Sequence, residues 1–241
     1  MNPSNENEQK MIKKFRITPL RVITHIAGWT PLLFLIHDFS TYHLTANPIQ
    51  AIEQRTGLTA LIFLLLSLAC TPLSTMLGWR ELPQRRKALG DYGFMYAALH
   101  VITFVGVDYG FNFGLILRDV GKKSYILVGL AAFLLLLPLA VTSFNSLIRR
   151  LGKKWKLLHK LVYVISPLVV LHFALSVKGD IFHLQGNIRQ PLLYGFVATL
   201  LLILRLPPIK KALIRVRARL VVKLQSFVDQ SPLMQKITKF N

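Results

Sequence analysis

Residues 56–79 read TGLTALIFLLLSLACTPLSTMLGW, and residues 124–148 read SYILVGLAAFLLLLPLAVTSFNSLI. Neither stretch contains a charged side chain, and each is longer than the roughly 20 residues that an α-helix needs to cross the hydrocarbon core of a bilayer. In the whole chain of 241 residues, 53% are apolar and the mean hydropathy is +0.47. These features predict a polytopic membrane protein, because few soluble folds bury two such helices.

Four shorter apolar runs reach the length of a span once their flanking residues are included. The predicted fold class is therefore all-α, a polytopic membrane helical bundle with about six transmembrane helices. The predicted spans cover residues 20–37, 57–77, 88–107, 124–145, 157–177 and 188–206. We expect residues 1–206 to form one transmembrane domain, with residues 1–20 on the cytoplasmic side.

The basic residues predict how the bundle is oriented. The formal net charge is +20, and the cations cluster before the first span, between spans two and three, between spans four and five, and after span six. The positive-inside rule places these segments, and so both termini, in the cytoplasm. This explains the charge without a nucleic-acid partner. Because Pro207 and Pro208 end the last span, residues 207–241 are predicted to form a basic amphipathic cytoplasmic tail on anionic lipid.

Histidines inside the predicted spans are the candidate functional residues. A buried imidazole in hydrocarbon needs a partner, and haem iron is one of the few available there. Spans three and five both start in the cytoplasm, which puts His100 and His172 at matching depths in the exterior half of the bilayer. We expect them to be the two axial ligands of one haem. His159 lies near the cytoplasmic edge, where a second haem would have His25 as its candidate opposite ligand.

Other interpretations of the histidines remain open at this stage. His159 and His172 are thirteen positions apart, so they point about 140° apart on a straight helix, and only unwinding near Pro167 would bring them closer to one side. His25 is equally well explained as an interhelical hydrogen-bond donor, and His159 as a residue that reaches the interface. A zinc site is disfavoured, because no Cys, Asp or Glu accompanies the buried histidines. The remaining histidines are expected to be solvated: His37, His43 and His183.

Several sequence blocks resemble the MsrQ family, also called YedZ, within the larger ferric-reductase-like transmembrane group. The longest block, RLGKKWKLLHKLVY at 150–163, contains His159, and YAALH at 96–100 contains His100. Shorter blocks occur in the same order along the chain: HIAG at 25–28, TGLTAL at 56–61, TPL at 71–73, RRKALG at 85–90, LAVTS at 139–143 and SVK at 176–178. Asp91 departs from the pattern, because an apolar residue is expected there.

The resemblance implies a function. Carried over by position, the family's haem-associated histidines fall on His100, His159 and His172. The chain would hold haem b, one or two groups, in a bacterial inner membrane, and the family has been linked to FMN. It would take electrons from the quinone pool or a cytosolic flavin reductase and pass them to MsrP, a periplasmic molybdopterin subunit that reduces oxidised methionine in proteins.

The chain would thus be an electron-transfer subunit with no complete active site of its own, since it offers no Rossmann glycine pattern or P-loop. Two alternatives are a ferric-reductase or oxidase-type cytochrome b with another acceptor, and a transporter with proline-broken helices. Several basic residues could contact a flavin phosphate, although the positive-inside rule predicts the same residues: Arg80, Arg85, Arg86, Lys153 and Lys154.

Overall fold

The computed structural model describes residues 18–177, 179–180, 185–186 and 188–229. Ten α-helices are present in this part of the chain. They are α1 Pro19–Ser40, α2 Pro48–Leu77, α3 Leu82–Ile102, α4 Phe113–Val120, α5 Ser124–Val141, α6 Asn145–Leu151, α7 Lys153–Leu158, α8 Val162–Ser176, α9 Arg189–Ile203 and α10 Pro207–Asp229. A π-helical turn, Thr103–Asp108, extends α3, and a 3-10 turn, His159–Leu161, joins α7 to α8.

The helical lengths confirm the predicted membrane bundle. Five helical stretches of the described residues are long and apolar enough to cross a membrane, and a sixth counts if α9 and the start of α10 are taken as one bent span. Large apolar side chains such as Leu33, Phe34 and Phe196 are more than half exposed on the outer face of the bundle. Such a surface suits lipid and would be a liability in water. β1 Gly179–Asp180 and β2 Gln185–Gly186 form a two-residue antiparallel ladder between α8 and α9.

Several helix boundaries differ from the sequence prediction; α3, for example, begins at Leu82 and not at residue 88. The connection predicted at 38–55 is shorter, because α2 already begins at Pro48, where the side chain of Asn47 accepts a hydrogen bond from the Gln50 N–H. Span four ends at Val141 rather than near 145, and the chain re-enters a helix at Asn145. After α9 the axis turns by 79° into α10, as the Pro207-Pro208 pair predicts.

Helix α2 lies at the centre of the bundle and packs most extensively against α3. Its residues Leu61, Leu64 and Leu68 are almost fully buried, in apolar clusters that also contain residues of α3, α5, α8 and α9. Helix α5 packs on α8, and α8 on α9. We call one end of the bundle the basic end. It contains the connection from α2 to α3, the segment from α5 to α8 and the start of α10. The opposite end holds the connections α1–α2 and α3–α5.

In two spans, polar side chains from neighbouring helices form hydrogen bonds with backbone groups that a proline leaves without an intrahelical partner. Pro72 has no N–H for the carbonyl of Leu68 one turn earlier, and the guanidinium of Arg205 donates to that oxygen instead, with Nη2 at 2.6 Å and Nε at 3.2 Å. Near Pro31, the buried Tyr96 hydroxyl donates to the Gly28 carbonyl and accepts from the Leu32 N–H. Membrane helices tolerate proline when neighbours satisfy the freed backbone groups in this way.

The connection at the opposite end is fastened by an ion pair. Lys123 Nζ lies 2.7 Å from a carboxylate oxygen of Asp119, and the Tyr109 hydroxyl donates to the same oxygen. Both contacts lower the pKa of Asp119. Helix α4, an amphipathic helix between α3 and α5, is therefore tied at its C-terminal end to the start of α5.

Candidate functional site

The structure brings His100 of α3 and His172 of α8 together. Their ring centroids are 6.0 Å apart and the ring planes are inclined by 74°. The two helices run in the same direction from the basic end, and both histidines lie in the half of the bundle nearer the opposite end. The residues are 72 positions apart in the chain, so only the packing of spans three and five can produce this contact.

Each ring is tethered to the backbone of a neighbouring helix through Nδ1. His100 Nδ1 lies 2.9 Å from the Glu53 carbonyl oxygen, and His172 Nδ1 lies 2.8 Å from the Tyr125 carbonyl oxygen. A carbonyl only accepts, so each Nδ1 carries the proton and each Nε2 keeps a lone pair. Within the described part of the chain, neither Nε2 makes a hydrogen bond. This is the tautomer of a metal-ligating histidine whose orientation is fixed by a second interaction.

Two glycines leave the space that the histidine rings occupy. A Cβ on Gly129 of α5 would lie 2.6 Å from His172 Nδ1, closer than real Cβ atoms come, and a Cβ on Gly57 of α2 would lie 3.2 Å from His100 Nδ1. Any side chain at position 129 would therefore push the His172 ring out of place. Together with the carbonyls of Glu53 and Tyr125, the glycines form a cradle for two imidazoles.

The ring spacing can be compared with what a shared haem iron needs. Two axial bonds of about 2 Å, plus about 1 Å from each Nε2 to its ring centre, put the centroids about 6 Å apart. The observed separation is 6.0 Å. In the described residues, no group of three His, Cys, Asp or Glu side chains could hold a metal ion by itself. The two histidines therefore fit a group that needs two protein ligands.

His159 occupies a separate position at the basic end. It begins the 3-10 turn between α7 and α8, and its ring lies 4.0 Å from that of Trp155 with the planes tilted by 33°. His159 Nδ1 is 3.1 Å from the Trp155 carbonyl oxygen, and Trp155 Nε1 donates to the Thr142 carbonyl at 3.0 Å. The backbone thus departs from the α-helix at 159–161, whereas the sequence placed any unwinding near Pro167.

His25 lies on α1 at the same end, and the Tyr92 side chain of α3 is its partner. His25 Nδ1 and the Tyr92 hydroxyl are 2.9 Å apart. This is the interhelical hydrogen bond that the sequence offered as one interpretation of His25. His25 and His159 do not touch each other in the described part of the chain. His37 and His43 are exposed, as expected, and His183 lies outside the described residues.

Known proteins resemble this chain in sequence over most of its length. The family model described as "Ferric reductase like transmembrane component" matches residues 56–170, which include His100 and His159. A protein of Rhodospirillum rubrum named "Protein-methionine-sulfoxide reductase heme-binding subunit MsrQ" is 42% identical over 78% of this chain and 88% of its own. The chain belongs to the MsrQ family. Proteins with the same name from Herminiimonas arsenicoxydans and Xanthomonas euvesicatoria are each 39% identical, over 79% and 76% of this chain and 85% and 83% of their own.

The structure adds residues that sequence reasoning did not select in this MsrQ-family chain. Gly57 and Gly129 were not singled out, although each lies beside one of the paired histidines. Trp155 was part of the quoted block at 150–163 but had no assigned role. The sequence does contain a signal for these glycines: a glycine among bulky apolar residues in a span often marks a place where a neighbouring group approaches the backbone closely. Only the three-dimensional packing identifies which neighbour that is.

Proposed function

We propose that this MsrQ-family chain is a haem b electron-transfer subunit of a bacterial inner membrane. It takes electrons from the quinone pool, or from a cytosolic flavin reductase, and passes them outward to the periplasmic molybdopterin enzyme MsrP for the repair of methionine sulfoxide in proteins. The observation that supports this proposal is the His100–His172 pair, with 6.0 Å between ring centroids and Nδ1 of each ring held by a carbonyl.

His100 and His172 would hold one haem through Nε2. The bound haem supplies a one-electron redox centre whose potential depends on its axial ligands and on the polarity around it. The Glu53 and Tyr125 carbonyls fix the ring orientations and make the imidazoles better donors, as hydrogen-bonded second partners of ligating histidines do. Gly57 and Gly129 leave space for the rings.

A second haem at the basic end would be held by His159, with His25 as the candidate opposite ligand. His159 Nδ1 is engaged by the Trp155 carbonyl, so its Nε2 is the nitrogen left for iron. His25 would ligate through Nε2 as well, while its Nδ1 stays on the Tyr92 hydroxyl. The number of haems, one or two, therefore depends on whether these two histidines form a pair.

The basic end would face the cytoplasm by the positive-inside rule, with both termini on that side. Its cations, including Arg80, Arg85 and Arg86, offer contacts for the phosphate of FMN, and a cavity of about 620 Å³ lined by Arg150, Lys153 and Lys154 lies at the same end. Helix α10, which turns 79° from α9 and carries Lys210, Lys211 and Arg215, would lie along anionic lipid headgroups.

Transmembrane delivery can be measured in spheroplasts that express the chain together with a periplasmic MsrP. We expect methionine sulfoxide in an added protein substrate to be reduced at the expense of cytoplasmic donors, and the His100→Ala variant to abolish this activity, because the pathway loses an axial ligand. Purified wild-type protein without haem after haem-replete expression would contradict the proposal and favour the transporter alternative.

One alternative acceptor has its own support. The match to the ferric reductase like component covers residues 56–170, and the same pair of histidines would serve a cytochrome that reduces ferric chelates or oxygen. Spheroplasts that reduce a membrane-impermeant ferric chelate but leave methionine sulfoxide unchanged, with MsrP present, would favour that alternative.

A further inference from the structure

A cleft opens on the lipid-facing side of the bundle at the basic end, between α3 and the end of α5. Its volume is about 350 Å³. Phe94, Val141 and Phe144 supply apolar and aromatic walls, while Lys87, Asp91 and Ser143 supply the polar atoms. Val141 and Phe144 are about half and two-thirds exposed, so the cleft can be reached sideways from lipid. The histidine pair and the cavity lined by Arg150, Lys153 and Lys154 share none of these residues.

Asp91 is the unusual member of this set. It lies in the third turn of α3, with its side chain exposed at the cleft, and a carboxylate within a transmembrane segment is costly unless it has a function or a partner. The Ser143 hydroxyl is its neighbour across the cleft, and Lys87 lies one helical turn nearer the end of α3. The Lys87 ammonium also reaches Asn145, at 3.5 Å.

The cleft is connected to His159 through two direct contacts. Val141 and Ser143 flank Thr142, whose carbonyl oxygen accepts the hydrogen bond from Trp155 Nε1 at 3.0 Å. The Trp155 ring lies in turn 4.0 Å from the His159 ring. On the inner side, Phe94 packs in the apolar cluster that also contains Leu158, directly before the 3-10 turn, and Leu161, its last residue. A molecule in the cleft would therefore lie close to the second haem position.

The chemistry of the cleft selects a class of ligand. An apolar cleft open to lipid admits a membrane-soluble molecule, its aromatic walls suit a flat ring, and a carboxylate beside a hydroxyl can hydrogen-bond a ring substituent that carries a proton. A hydroquinone, apolar with one acidic hydroxyl at each end of its ring, meets all of these conditions.

We propose that this cleft is the hydroquinone-oxidation site of the chain, with Asp91 as the acceptor of the first proton. The inference rests on the proposed function, which supplies haem as the electron acceptor. The hydroquinone is oxidised to the quinone and releases two electrons and two protons. The electrons leave one at a time towards the position of His159, one proton passes to the Asp91 carboxylate, and the other passes to water at the basic end. No bond to the protein forms.

The test uses the purified holoprotein in lipid nanodiscs, with decylubiquinol as donor and haem reduction followed by absorbance. We expect Asp91→Asn to slow reduction by roughly tenfold or more, as loss of a general base does, and Val141→Trp to slow it similarly by filling the cleft from its lipid-facing side. The matched controls are Glu81→Gln, which removes a carboxylate at the same end, and Leu134→Trp, which adds the same bulk elsewhere on α5. Both should react like the wild type.

Reduction by dithionite distinguishes failure of the cleft assignment from failure of the proposed function. A holoprotein that dithionite reduces fully, but in which Asp91→Asn and Val141→Trp react with decylubiquinol as fast as the wild type, overturns the cleft assignment alone. A wild-type haem that dithionite reduces and decylubiquinol does not also overturns it. A preparation without haem overturns the proposed function, and the cleft assignment with it.

Discussion

Replacing either His100 or His172 by alanine is expected to remove the same haem signal from the redox difference spectrum of membranes that contain the protein. The two rings are 6.0 Å apart and would ligate one iron, so the loss of either ring leaves that iron with a single protein ligand. We expect both variants to lose the same absorbance bands, and the double variant to lose no more than either single one. The measurement is the dithionite-reduced minus oxidised spectrum, normalised to the amount of protein in the membrane.

His37→Ala and His43→Ala are the matched controls. His37 lies in the last turn of α1 and His43 in the connection that follows it, and both side chains are exposed. They should retain the full haem signal. His159→Ala tests the second position: it should leave the bands of the His100–His172 haem in place and remove a different set, if a second haem is bound. A His100→Ala or His172→Ala variant with full haem content would show that the two residues do not share an iron.

Gly129→Val is expected to reduce haem binding nearly as much as His172→Ala, although it removes no ligand. A Cβ at this position would lie 2.6 Å from His172 Nδ1 and 2.7 Å from its Cε1, so the ring must move away from the Tyr125 carbonyl that holds it. Changes to groups that orient a metal-ligating histidine typically cost roughly 10- to 100-fold in affinity. We expect a loss in that range, measured as haem retained per protein during purification at a fixed detergent concentration.

Substitutions at two other glycines provide comparisons for the haem loss expected in Gly129→Val. Gly57→Ala places a Cβ 3.2 Å from His100 Nδ1, a tighter contact than usual but one that a small shift relieves, so its haem loss should be smaller. In Gly121→Ala the new Cβ has only the Arg118 carbonyl as a near neighbour, at 3.6 Å, and haem content should not change. Equal haem retention in Gly129→Val and Gly121→Ala would mean that His172 has no fixed position in the site.

Much of the fold was readable from the sequence because hydrocarbon imposes a simple rule. A span must be long, apolar and helical, and the uncharged runs at 56–79 and 124–148 satisfy this without knowledge of their neighbours. The bundle with five or six spans is confirmed. The boundaries were less predictable, because α2 is extended to Pro48 by an Asn47 cap that lies outside the apolar run, and α9 has only 15 residues, with the turn of 79° following it.

The depth argument identified which histidines belong together, but not how they are held. That His100 and His172 would lie at one depth follows from counting residues along two parallel spans. The carbonyls of Glu53 and Tyr125 that hold their Nδ1 atoms lie 47 residues away from each histidine in the chain. Neither carbonyl has a sequence signature, because every residue has one.

Prolines inside a span predict a broken helix, but side chains from neighbouring helices can keep such a helix continuous. In the sequence, Pro31 and Pro72 allowed a transporter with broken helices. In the structure, the Tyr96 hydroxyl and the Arg205 guanidinium fill the hydrogen-bonding positions near these prolines, and α1 and α2 continue through them. The polar partner in each case comes from another helix, at least 64 residues away in the chain.

Low-temperature electron paramagnetic resonance of the oxidised holoprotein tests most directly whether His100 and His172 share a haem iron. The ring planes are inclined by 74°. If the two imidazoles bound one iron at this inclination, two of the iron d orbitals would be almost equal in energy. We therefore expect a highly anisotropic low-spin ferric signal that disappears in both His100→Ala and His172→Ala. Absence of this anisotropic signal from the wild type, or its survival in either variant, would contradict the shared iron.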